Sequence, residues 1–212
     1  MARPAGHRTF AAVWDWASKH EPAREKKARR RTLSGVHGDV LELGVGVGTN
    51  WEYLPEGVNY VAIEPDPYMI ERARRHASEQ GREVDIRQAP AEELPFADDS
   101  FDTVVTTLTL CSVQDLQRSF AEVRRVLRPG GEFRFWEHVR PEGRVSGKLA
   151  DLITPAWRRI GAGCHPNRRT VEELRSAGFE VTELRSFRSG LVPMVMGSAR
   201  VIDDVPAQGN ES

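Results

Sequence analysis

The run Val40-Leu41-Glu42-Leu43-Gly44-Val45-Gly46-Val47-Gly48-Thr49-Asn50 constrains this chain more than any other segment. An apolar strand feeds into three glycines on alternate positions and then into a predicted helix start. Only glycine lets the backbone turn this tightly and leaves room for a ligand to lie against it. A second apolar strand, Tyr60-Val61-Ala62-Ile63, ends in Glu64, 20 residues after Gly44. An acid at that strand tip is placed to accept both hydroxyls of a ribose. Together the two features predict a nucleoside-bearing cofactor across the first two strands of an α/β sheet.

The glycine spacing narrows the cofactor. A dinucleotide fingerprint would put its third glycine at Thr49, so an NAD-linked oxidoreductase is disfavoured. A pyrophosphate would want basic groups or free amides at the helix start. No Lys or Arg lies between Val40 and Asn59, while Glu42, Glu52 and Glu56 do. That balance suits a cationic ligand better than a phosphorylated one.

From Val40 to Phe187 the chain resembles the class I S-adenosylmethionine-dependent methyltransferases of the methyltransferase type 11 group. The resemblance rests on Glu42 to Gly48, Glu64, Ala91-Glu92-Glu93-Leu94-Pro95-Phe96, Phe101-Asp102-Thr103-Val104-Val105 and Val126-Leu127-Arg128-Pro129-Gly130-Gly131, in the family's order. It implies S-adenosylmethionine as cofactor and S-adenosylhomocysteine as product. The implied cofactor-binding residues are Glu42, Gly44, Gly46, Gly48 and Asn50 around the loop, then Glu64, Pro65 and Met69, then Ala91, Glu92, Thr107 and Leu108. The glycine loop would pack on the methionine part, Glu64 would bind the ribose, and Tyr68 and Met69 would cover one adenine face. Pro90 stands where the family often has Asp, which leaves the Ala91 backbone to read the ring.

From Asp39 onward, strand and helix alternate, which implies a parallel sheet with helices on both faces. The expected fold is α/β: a doubly wound, mostly parallel, seven-stranded Rossmann-like sheet. Strands are predicted at 39–43, 59–63, 83–88, 101–107, 131–139, 179–187 and 193–202. Helices are predicted at 9–31, as one or a pair, and at about 48–54, 67–80, 114–127, 147–160 and 170–177. Thr170-Val171-Glu172-Glu173 has capping-box spacing. The 212 residues suit a single methyltransferase domain. It would comprise a helical lid over 1–36, a cofactor-binding half over 37–139, a substrate-side insert with C-terminal strands over 140–203 and a tail over 204–212.

Net charge is −1, which gives no global pull toward nucleic acid or anionic lipid. The segment Lys19 to Arg31 carries seven basic residues against two acids. It reads as a solvated helix face, with membrane-surface or RNA contact as sharper alternatives. Two cysteines make no disulfide framework. There is no signal-peptide core and no apolar run long enough to span a bilayer, so a soluble cytoplasmic protein is expected.

Ligands on such sheets bind beyond the carboxyl ends of the strands. That rule selects the glycine loop, Leu108 to Val113, Glu137-His138-Val139 and the insert Arg140 to Arg169, which holds Trp157, Cys164, His165 and Asn167. With Trp14 and Trp16 the insert should cover the acceptor. Thr109 to Val113, Glu137 to Val139, Thr154 to Trp157 and Gly163-Cys164 look like the thiol methyltransferases of the methyltransferase-like group. The resemblance therefore implies S-methylation of a small thiol. Alternatives are N- or O-methylation of a phospholipid amine or secondary metabolite, and a cofactor-binding module without catalysis.

His138 is the candidate base, because an ordinary imidazole titrates near working pH. It could equally be a strand-end hydrogen bonder. Glu137 is either its orienting partner or simply the strand end, and Cys111 faces either the cofactor or the core. Trp14, Trp16 and Trp157 read as packing, with a cage for an ammonium acceptor as the alternative. Cys164-His165 with His138 and Glu137 fits no standard zinc spacing, and no metal is expected. The expected partner is a small-molecule acceptor, with no nucleic acid and no membrane span. Oligomeric state is left open.

Overall fold

A computed structural model describes residues 7–190 and 192–202. The tail expected at 204–212 lies outside the described residues. Seven strands form one sheet in the order β3-β2-β1-β4-β5-β7-β6. They are β1 (Asp39–Leu43), β2 (Asn59–Ile63), β3 (Asp85–Arg87), β4 (Phe101–Thr107), β5 (Leu127–His138), β6 (Phe179–Ser189) and β7 (Val192–Val201). The described helices are α1 (Arg8–Lys19), α2 (Ala23–Leu33), α3 (Pro67–Glu79), α4 (Leu116–Val126), α5 (Arg144–Ile160) and α6 (Thr170–Ser176).

β1 pairs in parallel with both β2 and β4, so the strand order reverses between them. A crevice outside the carboxyl ends of the strands opens at such a reversal. The sheet is mixed rather than purely parallel. β7 runs antiparallel to β5 and to β6. The physical reason is the short connection: only a turn at Gly190 separates β6 from β7, and a parallel return needs a crossover of a dozen or more residues.

Helices cover both faces because β1 and β4 carry apolar side chains on both sides. Leu41, Leu43, Val104, Phe133 and Phe135 pack against Phe120, Val123 and Val126 of α4 and Leu174 of α6. The rings of Phe120, Phe133 and Phe179 lie with centroids 5.8–6.2 Å apart. On the opposite side Val40 and Val105 meet Leu33 and Val36 at the end of α2.

Several predicted elements differ. The helix expected at 48–54 is only a 3-10 turn at Trp51–Tyr53. Gly48 sits at φ +87° with the Trp51 ring folded against it, which breaks the helical path. The N-terminal stretch is two helices, interrupted before Pro22. β5 starts at Leu127, which pairs with Phe101 before the register shifts at Thr103. What the sequence presents as a turn is thus absorbed as an irregularity within the strand. The capping box at Thr170 does not form: Arg169 is the N-cap, and the buried Thr170 hydroxyl has no partner among the described residues.

Candidate active site

The glycine loop leaves β1 with Gly44 and Gly46 both at positive φ, +72° and +56°. A Cβ on Gly44 would lie 2.5 Å from the Thr109 side chain, so this position must be glycine for the turn after β4 to approach. A Cβ on Gly46 would instead point into open space, 3.7 Å from the Trp14 indole nitrogen. Here bare backbone forms the wall of a cavity of about 300 Å³.

Glu64 directly follows β2 on that wall and is 7% exposed. Gly46 N–H donates to its Oε2 at 3.0 Å, and Asp66 N–H donates to its Oε1 at 3.0 Å. These bonds fix the carboxylate and leave each oxygen a further lone pair. Burial pushes its pKa up to about 7 against the opposing effect of the two amides. A cis-diol offers two donors to such a group, so Glu64 fits a ribose.

Gly44, Gly46, Glu64, Pro65, Met69, Ala91, Glu92, Thr107 and Leu108 all line the cavity. Glu42, Gly48 and Asn50 lie beneath the loop instead. Asn50 Nδ2 donates to Glu42 Oε1 at 2.7 Å and to Thr107 Oγ1 at 2.9 Å, while Tyr60 donates its hydroxyl to Glu42 Oε2. Burial raises the Glu42 pKa to about 7, despite the opposing bonds from Tyr60 and Asn50. Glu92 accepts the Gln114 and Asp115 amides and so ties the start of α4 to the cofactor end.

The basic run contributes a residue that sequence alone reads as solvated. Arg29 is buried and reaches the cavity wall. It donates to Asn50 Oδ1 and to Thr107 Oγ1, pairs with Glu21 at 2.5 Å and lies 5.1 Å over the Trp136 ring. The one signal for it is its helical spacing with the buried Thr32 and Leu33, which places it on the inward face of α2.

The acceptor end is built by two turns. Leu108 leaves β4 at φ +58°, a costly conformation for leucine. Glu137 is fully buried and accepts the Thr109 and Leu110 amides on one oxygen, each at 3.0 Å. It therefore clamps the 108–110 turn rather than hydrogen-bonding His138. The Arg168 guanidinium donates to the Leu110 and Val113 carbonyls from the other side. His165 donates its amide to Cys111 O at 2.7 Å, a structural tie outside the cavity.

Cys111, His138 and Cys164 line the cavity together, their ligating atoms within 4.8 Å of one another. His138 Nδ1 lies 3.9 Å from Cys164 Sγ. The hydrogen bond from Cys111, followed by the one from His138, lowers the Cys164 pKa against its burial. The same thiol–thiol contact and burial push Cys111 well up. Burial pulls His138 down, but Cys164 and Glu137 outweigh it and leave the imidazole raised. The cluster can hold and move one proton, and its two sulfurs and one ring nitrogen lie within 4.8 Å of one another.

Of Trp14, Trp16 and Trp157, only Trp14 lines the cavity, stacked on Phe10. Trp16 stands in solvent against His20, and Trp157 is half-exposed outside the cavity wall. The aromatic cage for an ammonium group is therefore not assembled.

Residues 41–135 match the methyltransferase domain family. The chain is 38% identical to thiol S-methyltransferase TMT1B of Homo sapiens over 168 residues, covering 76% of this chain and 68% of the relative. It is 33% identical to thiol S-methyltransferase TMT1A of Homo sapiens over 207 residues, covering 86% and 84%. In fold it is similar to an S-adenosylmethionine-dependent methyltransferase from Mesorhizobium loti, with TM-score 0.62 and 23% identity over 84% of this chain and 98% of that one.

Proposed function

The chain belongs to the class I S-adenosylmethionine-dependent methyltransferases, and from that premise we propose that it transfers the donor methyl to the sulfur of a small thiol, with His138 as the proton acceptor. The observation that carries this reading is one continuous cavity. It has the glycine loop and Glu64 at one end and His138 with Cys164 at the other. The thiol S-methyltransferases to which the chain is similar support the acceptor class.

S-adenosylmethionine supplies a methyl group on a positively charged sulfur, already activated toward an in-line nucleophile. Glu64 would receive the ribose hydroxyls, and the bare backbone at Gly46 would leave room for the methionine part. Met69 and Ala91, which line the same cavity, would flank the adenine. Leu108, Val113 and Trp14 line the cavity with apolar surface, which suits a small uncharged thiol and excludes water. Holding the two sulfurs in line can contribute on the order of 7–11 kcal/mol.

The remaining requirement is an ionised acceptor. A free thiol titrates near 8.5, so few acceptors are thiolates at neutral pH. His138 takes the proton at its ring nitrogen and, once charged, steadies the sulfur anion beside it. Cys164 sets the imidazole's proton affinity from 3.9 Å away.

The test is a panel of alkyl and aryl thiols, amines and phenols incubated with labelled donor. Thiol turnover that depends on Glu64 is expected. Amine or phenol turnover without thiol turnover would reject the acceptor assignment. Donor binding with no product from any acceptor would favour a non-catalytic module.

A further inference from the structure

Helix α5 wears its apolar residues on the wrong side for a globular domain. The residues it buries against the body are Gly147, Ala150 and Thr154, all small. Its large apolar side chains face solvent: Val145 is 83% exposed, Leu152 76% and Ile160 73%, with Leu149, Ile153 and Trp157 about half-exposed. At 3.6 residues per turn these six share one stripe along the helix. Half of the exposed large apolar residues of the described chain belong to this one helix. A contiguous apolar stripe of this kind marks an interaction surface.

The charges on α5 select the partner. Arg144, Lys148, Arg158 and Arg159 are exposed, and Asp151 is the helix's one acid, already paired with Arg140 at 2.6 Å. Lys148 and Arg159 lie about three turns apart in register, along one edge of the stripe. An apolar face edged by cations matches the interface of an anionic bilayer, where the stripe enters the acyl boundary and the cations meet lipid phosphates.

We propose that α5 docks the protein on an anionic lipid surface. Gly161 and Ala162, directly after the helix, line the cavity, so docking sets the acceptor end of the site beside the bilayer. Docking itself does not depend on which acceptor is methylated.

The experiment is co-sedimentation of the full chain with vesicles of phosphatidylcholine plus phosphatidylglycerol, and with phosphatidylcholine alone. Salt-sensitive binding to the mixed vesicles is expected, and much weaker binding to the neutral ones. The triple variant Leu149→Gln, Leu152→Gln, Ile160→Gln should lose at least tenfold in vesicle affinity while keeping wild-type circular dichroism and S-adenosylhomocysteine binding. Lys148→Glu with Arg159→Glu should remove the preference for anionic lipid. Failure to sediment with either vesicle, or sedimentation unchanged in the triple variant, overturns the proposal. So does a dimer at micromolar concentration that the triple variant dissociates when the wild type ignores vesicles, since the stripe is then an interface between copies.

Discussion

The ring nitrogen Nδ1 of His138 lies 3.9 Å from the sulfur of Cys164, although one closes β5 and the other follows α5. The contact raises the imidazole above its ordinary value of 6.5. The neutral imidazole is the base, so thiol methylation should rise with pH through a pKa above 6.5. His138→Gln should lower turnover about a hundredfold at pH 7. Its pH profile should shift toward the acceptor's own ionisation near 8.5. A profile identical to wild type removes the base role.

The same pair predicts unequal cysteine chemistry. Cys164 is held low by its hydrogen bonds to Cys111 and His138, whereas Cys111 is held high. Thiolates, not thiols, react with alkylating agents. At pH 7 iodoacetamide should therefore modify Cys164 first, as read by peptide mass spectrometry. His138→Gln should slow that labelling. Preferential labelling of Cys111 would reverse the assignment of the proton within the pair.

Glu64 couples donor binding to pH. Its folded pKa of about 7 stands well above the ordinary carboxylate value because it is buried, so the empty site holds a proton below neutrality. Ribose hydroxyls bind the carboxylate form. Binding must then release that proton, and affinity should fall about tenfold per pH unit below 7 and level off above it. Calorimetry in two buffers of different ionisation enthalpy measures the proton count. Glu64→Gln should flatten the dependence and weaken binding by roughly 1.5–3 kcal/mol, the magnitude of a charge-assisted hydrogen bond.

The parts of the molecule legible in the sequence are those written in short, contiguous code. The glycine loop and Glu64 belong to two adjacent strands, and their spacing alone places them on one wall. Arg29 is marked only by its helical spacing with Thr32 and Leu33, because the partners that decide its burial, Glu21, Asn50 and Thr107, all lie outside α2. The cysteine pair was hidden for the same reason: Cys111 and Cys164 are 53 residues apart and meet only once Arg168 and His165 fold the second turn onto the first. The strand at β7 is legible but its direction is not, because apolar periodicity marks a strand and carries no direction. The missing crossover helix before it was the available signal.

Two glycines of the loop should fail in different ways. A Cβ on Gly48 would lie 2.5 Å from the buried Trp51 ring, at φ +87°. Gly48→Ala should cost about 1–3 kcal/mol of stability, lowering Tm by roughly 2–4 °C per kcal/mol. Gly46→Ala meets nothing closer than 3.7 Å and should cost about 1–2 kcal/mol, from its left-handed backbone alone. Its Cβ occupies the cavity wall, so donor affinity should fall by more than stability does. Equal effects of the two variants on Tm and on donor Kd would contradict this division between packing and contact.

Arg29 ties α2 to the loop through a fork that no other cation reproduces. Its guanidinium meets Glu21, Asn50 and Thr107 at once, at 4% exposure. Arg29→Met leaves Glu21 as a buried charge without its partner, a loss worth about 3–5 kcal/mol in urea unfolding. Arg29→Lys should recover only part of that, because an ammonium is a point charge and cannot span all three acceptors. The decisive measurement is the double variant Glu21→Gln with Arg29→Met. Removing both charges relieves the unpaired one, so the double variant should be more stable than the sum of the single losses by about 1–3 kcal/mol. Additive losses would mean that the two charges contribute independently, and that Arg29 holds the loop through Asn50 and Thr107 alone.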